Sequence, residues 1–170
     1  MKFRYATAAL FAGVMSFGIG SEASAALWTL SGNMDPQQAG TNGGFGAGTG
    51  SGTGTIAGTY DDVTNQLNYT VTWSNLTAPT TVSHFHVGAP GVSGAVTLGF
   101  TATSPSVGSA TLNPTQGNDL LAGNWYANIH TQNFAGGEIR GQVNVAPIPE
   151  PSSLALLGLG GLLAMRRRRG

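Results

Sequence analysis

The chain has no cysteine, and charged residues make up only 8% of its 170 positions. Without cysteine it can form neither a thiolate metal site, nor a thiol nucleophile, nor a disulfide. Between residues 26 and 148 there is no lysine, and Arg140 is the single basic side chain against five acidic ones, a formal charge of −4. Nucleic-acid binding requires clustered Lys and Arg, so it is excluded, and lysine-based Schiff-base catalysis is excluded too.

Long hydrophobic runs are also missing, and the two short ones lie at the ends of the chain. Near the start, Lys2 and Arg4 precede an apolar stretch over residues 6–19, and the small residues Ala23 and Ala25 follow it. A basic segment, a short apolar segment and a small-residue site are typical of a secretory signal peptide. We therefore predict that residues 1–25 direct export and are removed by signal peptidase.

The C-terminal end has three parts in a fixed order. Pro149, Glu150 and Pro151 interrupt regular structure, and an apolar run follows over residues 154–165. As a helix, these 12 residues would cover about 18 Å of a hydrocarbon core of about 30 Å, which favours transient membrane association. The chain then carries a basic cluster formed by Arg166, Arg167, Arg168 and Arg169.

This tail, residues 148–170, resembles the PEP-CTERM sorting signal of Gram-negative bacteria. The resemblance implies that a membrane protease, exosortase, cuts near the Pro-Glu-Pro motif and that the protein reaches the cell surface or extracellular matrix. An ordinary tail anchor is the alternative interpretation.

The remaining residues, 26–147, form one domain whose pattern favours strands. Leu67, Tyr69, Val71 and Trp73 alternate with polar residues, as expected for a strand with one buried face. A glycine-rich stretch over 40–54 is predicted to be a loop, and residues 114–121 a helical turn. Short strands at this spacing predict an all-β, antiparallel Ig-like or Greek-key sandwich of about seven or eight strands. They are expected at 27–30, 55–60, 67–73, 82–86, 95–100, 108–112, 125–130 and 138–145.

All three histidines of the chain fall in predicted strands. Side chains alternate between strand faces, so His84 and His86 share a face. In the later strand, Trp125, Ala127 and Ile129 form an apolar face that should point to the core. Tyr126, Asn128 and His130 then lie on the opposite face. If the two strands are neighbours, the three histidines and Asn128 converge on one polar patch.

Two segments around these histidines resemble the CHRD domain, named after chordin. One holds His84, His86, Gly88 and Pro90; the other runs from Tyr126 to Thr131 and continues through Gly-Gly-Glu-Ile-Arg-Gly-Gln at 136–142. The resemblance covers about residues 27–145. It implies a β-sandwich, and the activity of the family is poorly defined.

Two strand histidines at i and i+2 with a distant third can provide three nitrogen ligands for copper or zinc. The arrangement resembles the copper site of copper-zinc superoxide dismutase, but the fourth, bridging histidine of that family is missing, so redox catalysis is not expected. The alternative is a structural hydrogen-bond network of the histidines with Asn128 and Thr131. Glu138 and Arg140 are predicted to be structural, through an ion pair between strands or through a bond from Arg140 to a carbonyl or Asp119.

The sequence therefore predicts an exported, non-enzymatic binding or structural module at the cell surface, associated with extracellular polysaccharide. A mononuclear copper or zinc protein using His84, His86 and His130 is the alternative.

Overall fold

The computed structural model describes residues 27–40 and 46–148. The signal-peptide residues and, apart from Ile148, the sorting-tail residues lie outside this range. Within it the chain forms nine strands and two short helices. In order they are β1 (Leu27–Met34), α1 (Pro36–Gly40), β2 (Thr53–Asp61), β3 (Gln66–Ser74), β4 (Thr80–Val87), β5 (Val96–Phe100), β6 (Ser106–Thr111), α2 (Pro114–Leu121), β7 (Trp125–Thr131), β8 (Ile139–Gln142) and β9 (Asn144–Pro147).

The strands form two antiparallel sheets, which confirms the predicted all-β sandwich. One sheet has five strands in the order β6-β3-β2-β1-β9, and the other has four in the order β5-β4-β7-β8. β4 and β7 are direct neighbours in the second sheet, and this pairing places the histidine strands side by side.

The core lies between the sheets and is built from the alternating apolar residues. Trp125, Ala127 and Ile129 are fully buried, as the pattern predicted. Phe85 packs edge-on against Tyr69 at 5.3 Å between ring centres and lies 5.7 Å from the ring of Trp125. Each such buried side chain contributes about 1.5–3 kcal/mol relative to exposure, so this core holds the histidine strands in a fixed register without disulfides.

The predicted strand over 138–145 is wrong in one respect, since the chain changes sheets within it. β8 pairs with β7, whereas β9 pairs with β1 of the other sheet. Val143 lies at the corner, buried, and its N–H donates to the carbonyl of Trp125 at 2.8 Å. Both sheets turn their inner faces to one core, so the inward alternation continues through the corner and the sequence pattern does not reveal it.

Other boundaries also differ from the prediction, and β1 continues to Met34 instead of ending at residue 30. Gly40 belongs to α1, and Thr53 and Gly54 belong to β2, so the glycine-rich loop is shorter than 40–54. The helical turn at 114–121 is a capped helix, α2. No helix within the described residues is long and apolar enough to cross a membrane, and the apolar run at 154–165 lies outside them.

Candidate metal centre

The pairing of β4 with β7 brings the three histidines to one face of the second sheet. His84 lies directly opposite Asn128, His86 opposite Tyr126, and Val82 opposite His130. His130 is therefore the diagonal neighbour of His84. Because residues two apart on a strand share a face, the condition for convergence is met.

The imidazoles form a compact cluster. One ring nitrogen from each histidine lies within 4.8 Å of the others. The ring centres of His84 and His130 are 5.4 Å apart, those of His84 and His86 are 5.7 Å apart, and those of His86 and His130 are 6.0 Å apart.

Two of the rings are oriented by backbone carbonyls. The Nδ1 atom of His86 bonds the carbonyl of Gly94 at 3.0 Å, and Nδ1 of His130 bonds the carbonyl of Ala135 at 2.8 Å. A carbonyl oxygen only accepts, so each Nδ1 carries the proton and each Nε2 carries a lone pair. A carbonyl or carboxylate on the far ring nitrogen is the usual support for a metal-binding histidine.

The nitrogens on the other side of these rings have no partners among the described residues. Nε2 of His86, Nε2 of His130 and Nδ1 of His84 are all buried without a hydrogen bond. A buried polar atom left unpaired costs about 1–3 kcal/mol, and a structural network would satisfy it. Three such atoms lie in one cluster, and each can still accept a ligand.

The electrostatic environment keeps two of the rings neutral. Burial, and secondarily the field of His130, lowers the pKa of His84. Burial also lowers the pKa of His86, against the opposing effect of its bond to Gly94. A neutral imidazole is the form that binds a metal ion, so these rings require no deprotonation near pH 7.

The histidine face is partly covered, which sequence reasoning did not foresee: His86 is buried, whereas His84 and His130 are half-buried. The β4–β5 loop and the β7–β8 loop fold over it, and Tyr126 and Asn128 are each only 2% exposed. Gly94 reaches the cluster because its backbone passes against the carbonyl of Val87, where a Cβ atom would collide. Gly137 has φ +119° and leaves no room for a Cβ atom beside the amide of Asn128.

Asn128 and Thr131 have different surroundings from the histidines. The Nδ2 atom of Asn128 donates to the carbonyl of Gly136 at 3.0 Å and so holds the β7–β8 loop, while its Oδ1 is buried without a partner among the described residues. Thr131 lies on the inner face, and its hydroxyl donates to Glu138 at 2.8 Å.

Glu138 precedes β8, and its fully buried carboxylate also accepts from the N–H of Thr77 at 2.6 Å and from the hydroxyl of Thr77 at 2.9 Å. It therefore ties the β3–β4 connection to the end of β7. Thr77 was not identified from the sequence, because a lone threonine before a proline-containing turn carries no distinctive signal.

Arg140 is 1% exposed and donates to the carbonyl of Ala89 at 3.1 Å, one of the predicted alternatives. Its guanidinium carbon lies 3.4 Å from the ring centre of Tyr126. The Tyr126 ring stacks on His86 with 4.9 Å between centres and 8° between planes. This layered arrangement was missed, although the position of Tyr126 on the histidine face was predicted.

Three imidazole nitrogens suit copper or zinc. Nitrogens bound to one such ion at about 2.0–2.1 Å lie roughly 3.4 Å apart, so the most distant pair would have to approach by at most about 1.4 Å on binding. No carboxylate belongs to the cluster in the described part of the chain. The residues present therefore fit a mononuclear three-nitrogen site.

Comparison with known families agrees with two parts of the sequence interpretation, the β domain and the C-terminal sorting tail. The family model of the CHRD domain matches residues 29–143. The model of the PEP-CTERM protein-sorting motif matches residues 147–169. Neither a curated protein nor a solved structure matches the chain. The sorting motif implies exosortase processing and export to the cell envelope or surface. The chain therefore belongs to the CHRD-domain family and ends in a PEP-CTERM sorting signal.

Proposed function

We propose that this exported domain is a non-enzymatic metal-binding module that holds one copper or zinc ion on His84, His86 and His130. The observation that supports it best is the set of three buried, unpartnered ring nitrogens within one cluster. Two of the rings are already oriented by backbone carbonyls, so little side-chain entropy remains to be lost on binding.

The test is metal titration of the full chain, purified in mild detergent and stripped with chelator. We expect one ion per chain by elemental analysis and a binding isotherm in the micromolar range or tighter for zinc or copper. The same ion should raise the free energy of unfolding by about 2.7 kcal/mol at a free concentration of 100 times Kd.

Alanine substitution distinguishes a metal-binding residue from a nearby residue that does not bind the ion. His130→Ala removes a ligand, so it should weaken binding by more than the roughly 10- to 100-fold that loss of a supporting contact causes. Gln132→Ala is the matched control, since Gln132 is exposed and lies two positions further along the same segment. An empty wild-type protein, or equal affinity in both variants, would refute the metal site.

We also propose that the protein works within polysaccharide-rich material outside the cell, to which it is delivered by its sorting tail. The PEP-CTERM match supports this setting. Mass spectrometry of the exported protein should find a C-terminal end near residues 149–151, and the processed protein should be retained by extracellular matrix. An intact arginine tail on the exported form, or equal release of protein with and without that tail, contradicts the proposal.

A further inference from the structure

The charge around the three-histidine cluster discriminates between metal ions. The ligand set consists of three imidazoles and contains no carboxylate in the described residues. A neutral imidazole brings no negative charge to an ion that it binds. A divalent ion would therefore bring two uncompensated positive charges into a partly buried site, whereas a monovalent ion would bring one.

Arg140 adds a permanent positive charge to the same surroundings. Its guanidinium lies over Tyr126, and Tyr126 stacks on His86, so one aromatic ring separates the cation from a ligand imidazole. Arginine keeps its proton in proteins, and at 1% exposure this one is poorly screened by water.

We propose that the site selects Cu(I) over both Cu(II) and Zn(II), an inference that rests on the metal-binding function above. The cost of burying an ion grows with the square of its charge, and repulsion from the guanidinium grows in proportion to it. Imidazole nitrogen is a good donor for copper, so the preference for the ion of lower charge does not require a different ligand set. No electron transfer to a substrate is part of the proposal.

The experiment measures three affinities of the full chain in detergent. Cu(I) is titrated without oxygen against a chromophoric Cu(I) chelator, and Cu(II) and Zn(II) are titrated against chelators of known affinity. The expected order is Cu(I) tightest, with one ion per chain. The midpoint potential of the bound copper should then exceed that of aqueous copper by about 59 mV for each tenfold preference.

Each outcome is informative. If Zn(II) or Cu(II) binds more tightly than Cu(I), the Cu(I) preference is wrong and the metal-binding function stands. If no ion binds, the metal-binding function itself fails. If Cu(I) is preferred and His84→Ala abolishes that preference, both proposals are supported.

The role of Arg140 is tested by a charge-removing and a charge-keeping variant. Arg140→Gln should raise the affinity for Cu(II) relative to Cu(I) by on the order of tenfold, for unit charges about 10 Å apart at an effective dielectric constant of about 20. Arg140→Lys should leave that ratio near the wild-type value. An unchanged ratio in Arg140→Gln excludes the guanidinium as a cause. The ratio of two affinities does not depend on the folded fraction of a variant. If neither variant folds, the order of the three affinities of the wild-type protein decides whether the Cu(I) preference holds.

Discussion

Removing the hydroxyl of Thr131 tests whether the buried Glu138 carboxylate holds this end of the sandwich together. Thr131 is 1% exposed, and its hydroxyl donates to Glu138 Oε2 at 2.8 Å. Thr131→Val keeps the shape of the side chain and removes that donor. A hydrogen bond to a charged group contributes about 1.5–3 kcal/mol, so we expect the free energy of unfolding to fall by about 2 kcal/mol. The melting temperature should fall by roughly 5–10 °C.

Thr111→Val is the matched control, since it makes the same chemical change at an exposed position whose hydroxyl donates to the neutral amide of Gln66. It should change stability by less than about 0.5 kcal/mol. Urea unfolding followed by tryptophan fluorescence gives both values at a constant m-value.

A double-mutant cycle that combines Thr131→Val with Glu138→Gln measures the coupling free energy between the two side chains. The coupling between residues 131 and 138 should reach at least about 0.5–1 kcal/mol, because both residues lie in one hydrogen-bonded cluster. Equal costs for Thr131→Val and Thr111→Val, or a coupling near zero, would show that the carboxylate does not organise this end of the fold.

Three further predictions concern the metal-free protein. The folded-state pKa values of His84 and His86 lie below the unfolded value of about 6.5, so the unfolded chain binds more protons below that pH. The urea midpoint should therefore be constant above pH 7 and fall on acidification towards pH 5; a midpoint that rises instead contradicts the lowered pKa values. Tyr126→Phe should cost about 1 kcal/mol, because the hydroxyl accepts from the N–H of Gly94 at 3.0 Å, and Tyr126→Leu should cost more because the stacking is lost as well; equal costs in urea unfolding would argue against a role for the ring. Asn113→Ala should cost about 1 kcal/mol by removing the N-cap of α2, and Asn113→Ser should recover most of the loss in thermal melts; an alanine variant as stable as wild type would show that the capping box is dispensable.

The sequence predicted the features that depend on alternation along one strand. The period-2 pattern of β3 and the inward face of β7 were read directly, because side chains on a strand must alternate. The convergence of His84, His86 and His130 needed one further fact, the pairing of β4 with β7. Strand pairing depends on contacts between distant residues, and a single sequence does not determine it.

Features formed by loops folding back were not predicted. The bonds from His86 to Gly94 and from His130 to Ala135 run to backbone carbonyls, which every residue carries, so no side-chain motif reveals them. The stacking of Arg140 on Tyr126 joins β8 to β7. The change of sheet at Val143 could not be predicted, because apolar side chains continue to alternate toward the core on both sides of it.

The two ends of the folded domain meet at one point on its surface. The N–H of Ile148 donates to the carbonyl of Leu27 at 2.8 Å. The predicted signal-peptide site ends two residues before Leu27, and the Pro-Glu-Pro motif begins one residue after Ile148. Cleavage at the predicted signal-peptide site would leave the new N-terminus within about 7 Å of chain from Leu27. The chain therefore enters and leaves the folded domain at the same point on its surface. If both predicted cleavages occur, removal of one flanking segment leaves the attachment point of the other unchanged.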